Sequence, residues 1–351
     1  MELTKQQKTS LYKLVQGIRE KDLKQQTLGG YAGTGKTTLI KYLVQFFPNY
    51  GVSAYTGKAA NVLRTKGVAG ASTIHSRIYQ PFFDNGVVYF DLAVDPGCSG
   101  FIIDEASMVS EEIYSDLTSF GMPIIFVGDH GQLEPIGDGF NLMRKPDYRL
   151  EEIHRNAGDI ARFAEHMRRG FAARGFQPQD GSVSLVSKVG VNDYLEADQV
   201  ICAYNKTRVK VNAQVRKALG HKGILKVGER VMCLKNNKKQ GLFNGMQGTV
   251  VKLYEKSRGG KYMDFLFGDT LIEGVKYTPK HFGQESYDIG WGGDGPNPFD
   301  YAYCITCHKA QGDEWNNVLV IEQKCSKWDH KRWAYTAGSR PRVFLKWKLA
   351  A

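Results

Sequence analysis

The sequence predicts an α/β protein of two parallel-sheet lobes, with a small hairpin inserted in the first and a small β-barrel inserted in the second. Three observations predict it. Residues 25–140 alternate short apolar strands with helical stretches; the alternation resumes near residue 199 and runs to the end of the chain; and residues 226–280 interrupt it with short strands and turns. Strand–helix alternation builds a parallel sheet covered on both faces, whereas strands joined by tight turns build small antiparallel barrels.

In chain order, "QQTLGGYA" reads as a strand, "GKTTLIKYLVQFF" as a helix, "GVSAY" as a strand and "GKAANVLR" as a helix. "GFIIDEA" is then a strand, "SEEIYSDLTSF" a helix and "PIIFVGD" a strand. Residues 76–98 break this rhythm: "IYQPFFDNGVVYF" places two apolar arms around Asp84-Asn85-Gly86, a hairpin signal. After a Gly- and Gln-rich break near 170–190, "QVICAYN" is a strand and "KTRVKVNAQVRKAL" a helix. "GERVMCLK", "GTVVKLYE", "YMDFLF" and "TLIEGVKYT" supply the barrel, and 281–298 read as loop. "FDYAYCIT" and "WNNVLVIE" (strands), "HKRWAYTAG" (helix) and "RVFLKW" (strand) complete the second lobe. The expected domains are 1–75 with 99–147, the hairpin 76–98, 148–225 with 299–351, and the barrel and its loop at 226–298.

Composition narrows the function. Of 351 residues, 42% are hydrophobic and 24% charged, the balance of an ordinary soluble protein. The polar start "MELTKQQKTS" has no apolar core of a secretory signal, and no apolar run is long enough for a bilayer. A cytosolic protein of a bacterium or phage-infected host, with no membrane partner, is expected. Lys and Arg number 47 against 36 acids, a net charge of +11. The cations cluster, as in "NKTRVK", and clusters such as "EQKCSKWDHKRW" and "GSRPRVFLKWK" interleave them with aromatic rings, which suits the phosphates and base faces of single-stranded nucleic acid.

The chemistry begins at "GYAGTGKTT", which fits G-x-x-x-x-G-K-[ST] through Gly30, Gly35, Lys36 and Thr37, with Gly33, Thr34 and Thr38 in the same loop. It stands between a predicted strand and a predicted helix, where backbone N–H groups and a helix N-terminus wrap phosphates. Lys36 is expected on the β/γ-phosphates of ATP and Thr37 on Mg²⁺. "FIIDEASM" ends an apolar strand on adjacent acids, Asp104 for the metal side and Glu105 as base for water. Gln132 in "VGDHGQLEPIG" follows the next strand and is expected to sense the γ-phosphate.

This series resembles superfamily 1 DNA helicases, in particular the RecD/Dda-like branch, and further motifs extend the resemblance along almost the whole chain. It implies two RecA-like lobes, an SH3-like barrel whose start matches "LFNGMQGTV", and ATP-driven 5′→3′ movement on single-stranded DNA with unwinding of forked duplex. "LTKQQ" resembles the adenine-reading segment, with Gln7 as reader; Thr4-x-x-Gln7 is equally a capping box for the first helix. "YTGKAANVL" and "ASTIHS" implicate Thr56, Lys58, Thr73 and His75 in DNA contact. "LEEIHRNAGD" supplies Arg155, and "YTAGSRPR" supplies Arg340 as the arginine finger. "TCHKAQGDE" implicates Thr306 and His308 in DNA contact and Gly312 and Glu314 in nucleotide contact. In that motif Cys304 and Cys307 fall at a flanking and a variable position, so the Cys-x-x-Cys-His string reads as incidental and not as haem or zinc attachment. Phe82 and Phe83 of the hairpin are expected at the fork as a wedge. Replication or recombination proteins are expected as partners and the chain as a monomer. Two rivals stand beside this reading: a P-loop kinase or switch, and a single-stranded-DNA-binding ATPase without strand separation.

Overall fold

The computed structural model describes residues 3–350 apart from 85–86, 134–139, 153–157, 238–239, 257–258, 269, 290–294, 325 and 327, and of 81–90 it describes the backbone only. The chain divides into two compact units, Met1–Ala157 and Gly158–Ala351.

The first unit runs α1 (Lys5–Arg19), β1 (Gln25–Gly30), α2 (Lys36–Phe46), β2 (Tyr50–Ala54), α3 (Gly57–Thr65), β3 (Ser72–Thr73), α4 (Ile74–Ile78), β4 (Tyr79–Asp84), β5 (Val87–Leu92), β6 (Gly100–Asp104), α5 (Glu111–Ser119), β7 (Ile124–Gly128) and β8 (Tyr148–Leu150). Six strands form one sheet in the order β3-β2-β6-β7-β1-β8, every pair parallel. β6 and β7 are buried at every position, as continuous apolar runs are when helices cover both faces. β4 and β5 pair antiparallel from Tyr79↔Leu92 to Asp84↔Val87, the hairpin expected from the sequence.

The second unit runs α6 (Asp159–Arg168), β9 (Val183–Val186), α7 (Val191–Glu196), β10 (Gln199–Cys202), α8 (Asn205–Ala218), β11 (Arg230–Cys233), β12 (Gln247–Glu255), β13 (Lys261–Phe267), β14 (Thr270–Thr278), β15 (Asn297–Tyr301), β16 (Cys304–Thr306), β17 (Trp315–Ile321), α9 (His330–Gly338) and β18 (Pro341–Lys348). Five of these strands make a parallel sheet in the order β16-β10-β17-β18-β9, and β11 to β15 close into a barrel. The architecture is therefore mixed α/β, two RecA-like lobes with a five-stranded barrel in the second.

Two sequence-based boundaries move. The first lobe does not end at 147: β8 hydrogen-bonds in parallel to β1 as the sheet's edge, a three-residue strand too short to carry a periodic signal. "FDYAYCIT" is not one strand. Asn297–Tyr301 closes the barrel against β11 and β14, and after Ala302 and Tyr303 the chain enters the lobe sheet as Cys304–Thr306. The barrel thus takes its last strand from a stretch read as loop and lobe. The edge strand β9 lay unrecognised in the Gly- and Gln-rich break.

Candidate nucleotide and nucleic-acid sites

In an open parallel sheet, ligands collect beyond the carboxyl ends of the strands. The sequence-predicted residues of the first unit follow this rule. Lys36 and its loop follow β1, Thr56 follows β2, His75 follows β3, Asp104 and Glu105 close β6, and Gln132 follows β7.

The loop after β1 turns into α2 through Gly33 (φ 81°) and Gly35 (φ 86°), conformations that a Cβ would strain. A Cβ at Gly35 would also lie 2.3 Å from Gln7 Nε2. No side chain caps α2, so its first N–H groups face the loop as an anion cradle. Thr34 is buried, its hydroxyl donating to Tyr31 O at 2.9 Å, while Thr37 and Thr38 are half-buried in the first turn of α2. Lys36 Nζ donates to Gly30 O (2.6 Å) and Tyr31 O (3.0 Å) and lies 4.0 Å from Asp129 Oδ2.

Of the two alternatives left open by its motif, Gln7 makes the capping box, and it adds a contact to the phosphate loop. Its Oε1 accepts from Thr4 N at 3.0 Å and its backbone N–H donates to Thr4 Oγ1 at 3.3 Å, completing the capping box. Its Nε2 then donates to Thr34 O at 2.9 Å, tying α1 to the phosphate loop.

Burial pushes the Asp104 carboxyl above its usual range, against the pull of the Glu105 N–H, at 2.9 Å from Oδ1, and of the Lys36 charge. Glu105 itself sits at φ 54°, a left-handed conformation that costs a non-glycine residue about 1–3 kcal/mol and marks functional sites. Asp129 is fully buried, accepting from Gly131 N (2.9 Å) and Gln132 Nε2 (3.0 Å). It links Lys36 to Gln132, and sequence reasoning gave it no role. The signal was present: Asp129 follows the apolar "IIFVG" strand by one residue, much as Asp104 ends "FIID".

Among the nucleic-acid candidates, Thr56 caps α3 (Ala59 N to Oγ1, 3.1 Å) and Thr73 caps α4 (Ser76 N to Oγ1, 3.1 Å). Lys58 lies half-buried in the first turn of α3, and the exposed His75 packs its ring 5.4 Å from that of Tyr79. Arg155 and the side chains of Phe82 and Phe83 lie outside the described residues.

In the second unit Thr306 ends β16 and His308 stands in the 3₁₀ turn that follows; burial lowers the His308 pKa, keeping the ring neutral at pH 7. Lys309, also depressed by burial, donates to Asn244 Oδ1 at 2.9 Å and so joins this turn to the barrel's "LFNGMQG" segment. Gly312 has φ 80°. Glu314 accepts from Arg342 Nε at 3.1 Å. Arg340 is buried, and its guanidinium donates to Thr336 O (2.8 Å), Asp313 O (3.1 Å) and Ser339 Oγ (2.8 Å). Both motif cysteines are buried: Cys304 Sγ lies 3.6 Å from Cys202 Sγ, and Cys307 Sγ donates to Trp333 O at 3.5 Å. Burial pushes both thiols up, away from the thiolate a metal would need. Among the described residues no three His, Cys, Asp or Glu side chains group as a metal site, and no helix is long and apolar enough to cross a membrane.

Residues 2–187, more than half of the chain, match the AAA domain family. The chain belongs to that family. Residues 301–342 match the UvrD-like helicase C-terminal domain, and the resemblance to the RecD/Dda-like branch of superfamily 1 holds. The ATP-dependent DNA helicase Dda of Enterobacteria phage T4 is 29% identical over 253 residues, covering 62% of this chain and 57% of that protein. The ATP-dependent RecD2 DNA helicase of Deinococcus radiodurans is 26% identical over 350 residues, 90% of this chain and 45% of that one. The chain thus spans about half the length of these curated relatives. Bacteroides Pif1 bound to ssDNA shares the fold at a TM-score of 0.66 and 20% identity, over 99% of this chain and 92% of that chain.

Proposed function

We propose that this chain is an ATP-dependent DNA helicase that moves 5′→3′ along single-stranded DNA and unwinds forked duplex. One observation carries the reading: Lys36, Asp104, Glu105, Asp129 and Gln132 converge from the ends of the adjacent strands β1, β6 and β7. Lys36 exchanges the Gly30 and Tyr31 carbonyls for the β/γ-phosphates. Glu105 takes the proton of, or orients, the attacking water, and Gln132 senses the γ-phosphate while Asp129 holds its amide. The hydroxyl of Thr37 and the buried carboxylate of Asp104 are hard oxygen donors that fit Mg²⁺. That ion, when bound, neutralises charge on the phosphates. Arg155 and Arg340 are the proposed responders to the γ-phosphate; Arg340 would give up bonds within its own lobe to serve. Gly312 and Glu314 are proposed near the nucleotide, Glu314 in competition with Arg342. Thr56, Lys58, Thr73, His75, Thr306 and His308 are proposed on the DNA strand, with Phe82 and Phe83 at the fork.

Turnover of ATP with and without oligo-dT tests the reading, followed by unwinding of matched 5′-tailed and 3′-tailed duplexes. Stimulation by oligo-dT and unwinding from the 5′ tail are expected. Lys36→Ala is expected to reduce turnover to background while leaving oligo-dT affinity within about twofold, because the lysine meets phosphates and not the strand. A Lys36→Ala chain that keeps DNA-stimulated turnover would show that the site lies elsewhere.

Gln7 supplies a second check. With both ends of its amide engaged by Thr4 and Thr34, it acts as a brace for the loop more than as a reader of adenine. Gln7→Ala should therefore raise KM for ATP and for GTP by the same factor. A rise confined to ATP would restore the reading role.

A further inference from the structure

We infer that Tyr79 and Asp116 form a latch that fixes the angle of the β4–β5 hairpin on the first unit. Both are then positioning residues for strand separation, an inference that rests on the function proposed above. The hairpin strands pair with each other and with no strand of the six-stranded sheet. A two-stranded hairpin standing alone is marginal in water, so its direction has to be set at its base.

The base is held in two ways. Ile78, fully buried, ends α4 and joins one apolar cluster with Phe101 of β6 and with Ile113 and Leu117 of α5. Where the second arm returns, Ala93 N donates to Ile78 O at 2.7 Å. Apolar packing keeps this base in place but has no preferred direction. Tyr79, the first residue of β4, supplies one. Its half-buried ring packs on the same cluster, 5.4 Å from the ring of His75, and its hydroxyl donates to Asp116 Oδ2 in α5. Asp116 stands three residues after Ile113 and next to Leu117, so the apolar contact and the carboxylate reach the hairpin from one side of α5. Burial, and after it the bond to Asp116, push the phenol above its usual range, which keeps it a donor at neutral pH.

The lever that this contact controls is long. Each arm has six residues, and six residues at about 3.3 Å each reach about 20 Å. A swing of about 10° at the base moves the tip by about 3.5 Å, about the rise of one base-pair step. A hairpin that parts strands step by step tolerates little such play, and a hydrogen bond to a carboxylate is short and directional. Among the described residues neither Tyr79 nor Asp116 bonds a side chain of the nucleotide site, so unwinding and ATP turnover are expected to part company when the latch is removed.

The test uses the full chain and reads three quantities: unwinding of a 5′-tailed duplex, kcat and KM of oligo-dT-stimulated ATP turnover, and the play of the hairpin. The last is the width of the distance distribution between spin labels on Val88→Cys in β5 and Ser119→Cys in α5, with Cys98 and Cys325 changed to Ser. Tyr79→Phe, which keeps the ring and removes the hydroxyl, should slow unwinding about tenfold, the loss of one hydrogen bond to a charged group. It should broaden the label distribution at least about twofold and leave kcat and KM within about twofold. Asp116→Ala should match it, Asp116→Asn should keep most of the unwinding because its amide oxygen still accepts, and Tyr79→Phe with Asp116→Ala should be no slower than either alone. Equal label widths in wild type and Tyr79→Phe overturn the latch whatever the unwinding assay shows. So does a double variant in which the two single losses multiply, or a Tyr79→Phe chain whose ATP turnover falls in step with unwinding. A wild type that turns over ATP on oligo-dT but unwinds no tailed duplex overturns the helicase reading instead, and the label widths still decide the latch.

Discussion

Exchanging Glu105 for glycine is expected to raise the stability of the chain by about 1 kcal/mol and to end ATP turnover in the same variant. Among the described residues only Asp22 and Glu105 adopt positive φ without being glycine. At Glu105 the left-handed backbone costs about 1–3 kcal/mol, which glycine relieves, while the looser unfolded chain of the glycine variant returns about 0.4–1 kcal/mol of that gain. The turn so bought aims the chain from the end of β6 into the 3₁₀ turn at Ala106–Met108, with Asp104 accepting the Glu105 N–H. Glu105→Gln separates the two effects. It keeps the shape and the strain but cannot accept a proton, so the melting temperature should stay put while hydrolysis slows about 10²–10⁴-fold. Thermal melts and steady-state turnover on both variants check the argument. Turnover within a few-fold of wild type in Glu105→Gln would remove Glu105 as the base, and a lower melting temperature in the glycine variant would remove the strain.

The phosphate loop was legible because its pattern sits between a strand and a helix, and each half confirms the other. The acids of β6 were legible because an apolar strand rarely ends on two carboxylates without a use. Asp129 escaped because one acid after an apolar strand also fits an ordinary loop; only the bonds from Gln132 and Gly131 reveal its place. Gln7 shows a different limit. The sequence offered a cap or a reader, and the contact that gives its amide a further use, to Thr34 O, joins residues 27 apart in the chain. The barrel's last strand was hidden for a related reason. Asn297 and Pro298 fell in a Gly- and Pro-rich stretch read as loop, Phe299–Tyr301 was joined to the lobe strand that follows, and only pairing with β11 and β14 assigns all five to the barrel. Cys304 and Cys307 were legible as incidental from their flanking and variable places in the motif, and both thiols are buried.

A buried cation carries the largest stability effect expected in this chain. Arg208 is 1% exposed and Asp300 0%, and the two form an ion pair between α8 of the lobe and β15 of the barrel. Further bonds surround the pair: Arg208 donates from Nε to Asn205 Oδ1 at 3.1 Å and from Nη2 to Gln284 O at 2.5 Å, and Asp300 accepts from Gly283 N at 2.7 Å and Tyr287 OH at 2.6 Å. One and two turns further along α8, Asn212 bonds Tyr301 O and Cys304 O, and Arg216 pairs with Glu229. One helix face thus holds the barrel by one buried ion pair, a second whose arginine is half-buried, and an amide. Removing a single partner leaves the other charge buried and alone, so Arg208→Ala should destabilise the second unit by about 3–5 kcal/mol. The loss should appear as an early melting transition of that unit, separate from that of the first unit. Asp300→Leu alone should be as damaging, and Arg208→Met with Asp300→Leu should recover most of the loss, because an apolar pair of similar volume replaces an ion pair at little net cost. A double variant as unstable as the sum of the singles would mean that α8 and the barrel are held chiefly by Asn212 and Arg216, with the Arg208–Asp300 pair a bystander.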